Sequence, residues 1–266
     1  FDVNLTISIW DKLLVFQSQG MNALTSVAVT AGFSDPVFAN YAGLEGTGNV
    51  YTFSIADAAI DADALVALNA KTTGTITLAG DTSISGTLAT VNTVLGGAGL
   101  ASVAANLAIT VTDASITVAE ADALSELTTG LVTATVAPGA LAATNTAFAD
   151  TGGQVNNISF TVTDSTAAAA TLNALDAKTT VDIDVSAANA ISGANADIVT
   201  LYGNTANFVS LGNENITATD ATIRMAEANA LTALTTGTIT AQSDQSTANY
   251  PATGVNGTGK DYTREV

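Results

Sequence analysis

Cysteine and histidine are both missing from this chain. Without Cys there is no disulfide framework, no thiol nucleophile and no thiolate metal site. Without His the commonest general base and the commonest transition-metal ligand are gone. Basic residues are nearly as scarce: six Lys and Arg stand against 24 Asp and Glu, for a net charge of -18 over 266 residues. Such a surface repels phosphate backbones and anionic headgroups and attracts cations, which argues against nucleic acid as a partner. Aromatics make up only 5% of a chain that is 47% hydrophobic. The rest is mostly Ala, Val, Leu and Ile, small side chains that suit thin, closely packed layers better than one thick core. No apolar run approaches the roughly 20 residues that span a bilayer, so direct membrane insertion is not expected.

What the chain does have is a repeat with a period of 107 residues. Asp57 recurs as Asp164, Lys71 as Lys178, Ile84-Ser85-Gly86 as Ile191-Ser192-Gly193, and Asp113 as Asp220. Leu124, Leu127, Thr128, Thr129 and Gly130 recur as Leu231, Leu234, Thr235, Thr236 and Gly237. A fixed period is the mark of stacked units. Three regions follow. Residues 1–50 are an aromatic-rich N-terminal cap or assembly segment. Residues 51–243 are the repeats, 51–157 and a truncated 158–243. Residues 244–266 are a polar tail or linker.

Each period divides into two related halves of two strand-helix steps. Eight strands are predicted, around Phe53, Ile76, Val111, Val132, Val162, Ile183, Ile216 and Ile239. Their apolar residues alternate with Thr and Ser, so one face is buried and the other wet. Ala/Leu-rich runs between them, such as Ala62–Leu68 and Ala121–Leu127, predict helices. Thr117 and Glu120 have capping-box spacing ahead of the second run. Leu88, Val91 and Leu95 recur at helical spacing too. Strand, crossover, strand gives parallel pairing. The expected fold is an α/β repeat: a β-solenoid-like stack of strand-helix units forming one parallel sheet with a Thr-rich exposed face.

The phrases ALNAKTTGTIT, ALDAKTTVDID, LGNENITATD and EADALSELTTG resemble the Ala/Thr/Asp-rich tandem repeats of large surface proteins of marine cyanobacteria. The resemblance covers residues 52–243 and not the first 50. It implies an extracellular or cell-surface location and a structural or adhesive role. Some such proteins are similar to calcium-binding secreted proteins, but this chain lacks the GGxGxD nonapeptide of a calcium roll.

Several residues qualify as sites. Asp57, Asp113, Asp164 and Asp220 end a strand in all four half-periods. They are either a column of weak calcium ligands or caps of the next helix and its turn. Capping is preferred, because one Asp per half-period cannot supply six oxygens alone. Asp182 and Asp184, at i and i+2, stand about 7 Å apart on a strand, within the range of paired acids in glycoside cleavage. The first period has Thr75 and Thr77 there, which favours a plain solvated face. The Thr-x-Thr pairs (Thr75/Thr77, Thr110/Thr112, Thr133/Thr135, Thr161/Thr163, Thr217/Thr219, Thr238/Thr240) could order water on a flat face, but Thr also suits any exposed pleat. No reaction is written in these residues, and no enzyme is expected. The expected role is an extracellular building block of a surface layer, filament or adhesive fibre, forming a homo-oligomer or homopolymer. The alternatives are a calcium-dependent adhesin, an ice-binding Thr face or a phage fibre component. Phe1, Leu5, Ile7, Ile9, Trp10 and Phe16 are the expected assembly residues, since alternation and large apolar side chains there call for burial against something.

Overall fold

Alternating apolar and hydroxyl residues make the strands, and Ala/Leu runs make the helices, as elementary propensities require. The computed structural model describes residues 28–34, 37–78, 83–96, 100–102, 105–154, 156–243 and 261–264. The chain is α/β, with seven α-helices and several parallel sheets among the described residues. It divides into two compact units, residues 1–114 with 124–134, and residues 115–123 with 135–266.

In the first unit the order is β1 (Thr30–Phe33), a 3₁₀ turn (Phe38–Tyr41), β2 (Val50–Ile55), β3 (Ala59–Asp61), α1 (Ala62–Asn69), β4 (Ile76–Leu78), β5 (Ser83–Gly86), α2 (Leu88–Gly96), β6 (Leu100–Ser102) and β7 (Ala108–Val111). Then follow α3 (Val118–Leu127) and β8 (Val132–Thr135). Strands β1, β2, β4 and β6 pair in that order, all parallel. A second parallel series runs β3, β5, β7, β8. Its register stacks Ile60, Ile84, Ile109 and Val132 in one column. All four are buried. β-Branched side chains fill a pleated surface well, and a one-residue slip would turn the whole column outward.

The second unit holds α4 (Leu141–Ala147), β9 (Asn157–Ser159), β10 (Thr166–Ala168), α5 (Ala169–Asp176), β11 (Ile183–Asp184), β12 (Ala190–Gly193) and α6 (Asn195–Gly203). After a 3₁₀ turn at Thr205–Asn207 come β13 (Phe208–Val209), β14 (Asn215–Ala218), α7 (Met225–Thr232), β15 (Ile239–Ser243) and β16 (Asp261–Arg264). Strands β10, β12, β14, β15 and β16 pair in order, all parallel. The matching column is Ala167, Ile191, Ile216 and Ile239. Each member lies 107 positions after its counterpart in the first unit, so the sequence period is reproduced in strand register. The helix residues repeat likewise: Ala62, Ala121, Ala169 and Ala228 are fully buried, with Leu65, Leu124, Leu172 and Leu231 beside them. Alanine at that place lets the helix backbone lie close on the strands.

Two expectations need correction. The single continuous sheet is replaced by several sheets, because each chain segment turns a corner. β2 ends at Ile55 and β3 starts at Ala59, with Asp57 between them, so one segment feeds two sheets. Alternation reveals strands but not corners. The Ile-Ser-Gly landmarks are themselves strands, β5 and β12. Near Val162 the structure has isolated bridges at Thr161 and Val162 after the short strand β9.

The described part of the first 50 residues extends a sheet. β1 pairs with β2, which sets Phe33 against Phe53 with stacked rings 5.0 Å apart. Tyr41 meets both rings edge-on, at 5.6 and 4.8 Å. Such edge and offset contacts add to plain burial. Phe1, Leu5, Ile7, Ile9, Trp10 and Phe16 lie outside the described residues. At the other end β16 pairs in register with β15, from Thr240 opposite Asp261 to Ser243 opposite Arg264.

Candidate functional site

The repeated residues meet at the corners, where backbone groups leave the sheets and need partners. Each of the four repeated aspartates accepts a hydrogen bond from a backbone N–H on the preceding segment. Asp57 takes Phe38 N at 2.5 Å, Asp113 takes Leu88 N, Asp164 takes Leu141 N and Asp220 takes Asn195 N, the last three at 2.6 Å. Leu88, Leu141 and Asn195 are the first residues of α2, α4 and α6, and Phe38 opens the 3₁₀ turn. The first N–H groups of a helix have no partner within it, and a carboxylate there also meets the positive end of the helix dipole. Capping was expected, but of the next helix. The structure shows the opposite direction: each Asp reaches back 19 to 25 residues and ties two segments together. Among the described residues no three acidic side chains gather into a metal site, so these four serve separate corners.

A second tie repeats in step. Thr72, Thr128, Thr179 and Thr235 are buried. Their hydroxyls donate to Tyr51 O at 2.7 Å, Leu107 O at 2.6 Å, Ile158 O at 2.7 Å and Glu214 O at 2.6 Å. The same hydroxyls accept from the backbone N–H two residues on: Gly74 and Gly130 at 2.8 Å, Gly237 at 2.9 Å and Val181 at 3.2 Å. One hydroxyl thus satisfies a carbonyl on one segment and an amide on the next. The glycines are forced by proximity. A Cβ at Gly74, Gly130 or Gly237 would sit 2.2, 2.3 or 2.3 Å from a backbone oxygen. Val181 is the exception among the four, and its bond to threonine is the longest.

Sequence reasoning missed these threonines, although the signal was present. Thr128-Thr129-Gly130 repeats as Thr235-Thr236-Gly237, and Lys71-Thr72-Thr73-Gly74 as Lys178-Thr179-Thr180. The Thr-x-Thr pairs carry the plainer pattern along the strands. Those pairs do face outward, exposed or half-buried beside buried neighbours such as Ile109 and Ile216. Asp184, half-buried, accepts from Ser186 N at 2.9 Å and so closes a turn, while Asp182 is exposed.

Lys178 donates its ammonium to the carbonyls of Asn145 (3.1 Å) and Phe148, at the C-terminal end of α4. A cation belongs at that end of a helix. Nearby, Asp150 adopts a left-handed backbone with φ 50, and its N–H donates to Asp122 Oδ1 at 2.9 Å. Burial raises the Asp150 pKa above 3.8; Lys178 opposes that shift and Asp122 adds to it.

The second unit also contains a departure from the repeat. The residue whose carbonyl meets the buried threonine is Tyr51, Leu107 and Ile158 in three half-periods, and Glu214 in the fourth. Glu214 is 2% exposed. Its Oε2 accepts from Tyr202 OH at 3.0 Å and from Gly212 N at 2.8 Å. Burial first, then the neighbouring carboxylate, push the Tyr202 pKa upward, so this phenol is fixed as a proton donor. Both members replace leucines of the first period, Leu95 by Tyr202 and Leu107 by Glu214.

Chemically, the corner residues satisfy backbone groups and hold segments together. No helix among the described residues is long and apolar enough to cross a membrane. No protein-family model, curated protein or solved structure matches this chain.

Proposed function

We propose that this chain is an extracellular structural repeat protein whose strand-helix segments stack as a solenoid, and that it builds a surface layer, filament or adhesive fibre. One observation carries this reading. Every half-period devotes its most regularly repeated polar residues, one Asp and one buried Thr, to tying a segment to its predecessor. A chain selected for chemistry concentrates unusual polar residues at one place. A chain selected for mechanical continuity repeats the same tie at each step, as here.

Parallel, in-register strands support the stacking, and an edge strand offers backbone groups that another copy can pair with. The proposed joint is the segment from Phe1 to Phe16, with its alternating Leu5, Ile7 and Ile9 and its single Trp10. The protein then acts as a homopolymer. A surface location accords with the Cys-free, strongly acidic composition. The test is a chain that lacks residues 1–20. The full chain is expected to sediment as polymer and the shortened one as folded single chains. Normal polymerisation without those residues would refute the joint.

A further inference from the structure

We propose that residues 5–27, which lie outside the described residues, repeat the strand-helix segment once more and pair with the free edge of β1 in their own chain. The pattern is carried by Leu5-Thr6-Ile7-Ser8-Ile9-Trp10-Asp11. It matches residues 51–57, 107–113, 158–164 and 214–220, the four stretches that end in a repeated Asp. The first, third and fifth residues of all four are buried, from Tyr51, Phe53 and Ile55 to Glu214, Ile216 and Ala218. Leu5, Ile7 and Ile9 take those places, and Asp11 takes that of the corner aspartate.

The second half of the segment follows at the right distance. Met21-Asn22-Ala23-Leu24-Thr25-Ser26 reads like Leu231-Thr232-Ala233-Leu234-Thr235-Thr236. Thr25 thus stands for the buried Thr72, Thr128, Thr179 and Thr235. Those four lie 21 residues after the residue whose carbonyl they bond, and Thr25 lies 20 after Leu5. Four positions beyond each comes a buried residue that opens a strand: Ile76, Val132, Ile183 and Ile239. Four beyond Thr25 comes Val29, buried and directly before β1.

β1 is therefore the counterpart of β4, β8, β11 and β15, and each of these has neighbours on both sides. β4 lies between β2 and β6, β8 between β7 and β9, and β15 between β14 and β16. β11 pairs with β13 and also bridges Thr161 through Asp184. The earlier neighbour is always an Asp-ending stretch: Phe53 opposes Ile76, Ile109 opposes Val132 and Ile216 opposes Ile239. Among the described residues β1 has a strand on one side only, β2. The same register sets residues 5–9 along its other edge, with Ile7 opposite Val29. Covering that edge removes a template for unspecific pairing.

This divides the joint proposed above, and the next step rests on that reading. Alternation turns Leu5, Ile7 and Ile9 to the core of their own chain. The sixth position is exposed in all four described stretches, as Ala56, Thr112, Thr163 and Thr219. Trp10, the only Trp in the chain, stands there. An outward aromatic beside a corner is the kind of anchor that dominates contacts between proteins. The next copy meets Trp10 rather than the alternating aliphatic residues.

Paired cysteines test the register, because the chain has none of its own. Ser8 falls opposite the exposed Thr30. Neighbouring strands lie about 4.8 Å apart, within the roughly 4.4–6.8 Å between Cα atoms that a disulfide spans. Gly32, two residues on, would be about 8 Å from Ser8. The full chain with Ser8→Cys and Thr30→Cys is oxidised at low concentration beside one with Ser8→Cys and Gly32→Cys, and both are run on non-reducing gels. The expected product is a link within one chain, formed at least tenfold faster by the first pair. Links between chains, or equal rates for the two pairs, would overturn the pairing with β1. Sedimentation of Trp10→Ala is read separately and should show folded single chains; normal polymerisation would remove Trp10 from the joint. If the parent never polymerises while the link within one chain forms, the joint fails and the added segment stands.

Discussion

Replacing Thr128 by valine tests the ties between segments at a single oxygen. The two side chains have nearly the same shape, so packing is preserved and only the hydroxyl is lost. That hydroxyl donates to Leu107 O at 2.6 Å, with a longer contact to Ala105 O at 3.1 Å, and accepts from Gly130 N at 2.8 Å. Thr128 is 6% exposed, so water cannot easily replace it. Each buried backbone group left without a partner costs about 1–3 kcal/mol. Two such groups, partly relieved by relaxation, give about 2–4 kcal/mol for Thr128→Val. Thr128→Ser keeps the hydroxyl and loses one methyl, which costs about 1 kcal/mol. Urea unfolding followed by far-UV circular dichroism measures both, with the midpoint as readout at unchanged slope. For a chain of this size the valine variant should melt about 4–15 °C lower. If Thr128→Val is within about 0.5 kcal/mol of the parent, or if serine is worse than valine, hydroxyl ties do not hold the segments together.

The glycine that follows gives a paired test. Gly130→Ala would drive a Cβ to 2.3 Å from Asn106 O, and should cost about 1–3 kcal/mol in the same urea assay. Val181→Gly, at the position that already accommodates a side chain, should cost under about 1 kcal/mol, the ordinary entropic penalty of glycine. Asp164→Ala removes the acceptor for Leu141 N and should lower stability by about 1 kcal/mol, with Asp164→Asn losing clearly less because it keeps an oxygen. Asp150 has a folded-state pKa raised above 3.8, so the folded chain holds this proton more tightly than the unfolded one. Stability attributable to Asp150 therefore falls as pH rises from 3.8 through the folded value. Asp150→Asn should flatten that part of the pH–stability curve and melt no lower than the parent at neutral pH. A curve of unchanged slope would assign the effect to other groups.

The sequence made much of this fold legible, because the period is carried by the residues that pack. Seven of the eight expected strands form, around Phe53, Ile76, Val111, Val132, Ile183, Ile216 and Ile239, and the Thr117–Glu120 capping box closes with Thr117 N to Glu120 Oε2 at 2.8 Å. The Leu88, Val91, Leu95 spacing is realised in α2. What escaped was the corner geometry. Alternation has no term for where a strand leaves one sheet and joins another, so β5 and β12 looked like landmarks only. The direction of the Asp ties escaped for a related reason: local spacing suggests the next helix, whereas the partner lies 19 to 25 residues earlier in the chain. Glu214 was visible as a mismatch within the repeat, since its three counterparts are large and apolar. Its partner Tyr202 could not be read from spacing, because the bond depends on how α6 lies over the β13–β14 corner.

The account rests on continuity from segment to segment and from copy to copy. Negative-stain electron microscopy of the purified full chain, across a concentration series with and without millimolar calcium, tests it most directly. The account predicts ordered filaments or sheets that lengthen with concentration. Monodisperse single particles at every concentration and in both conditions would contradict it.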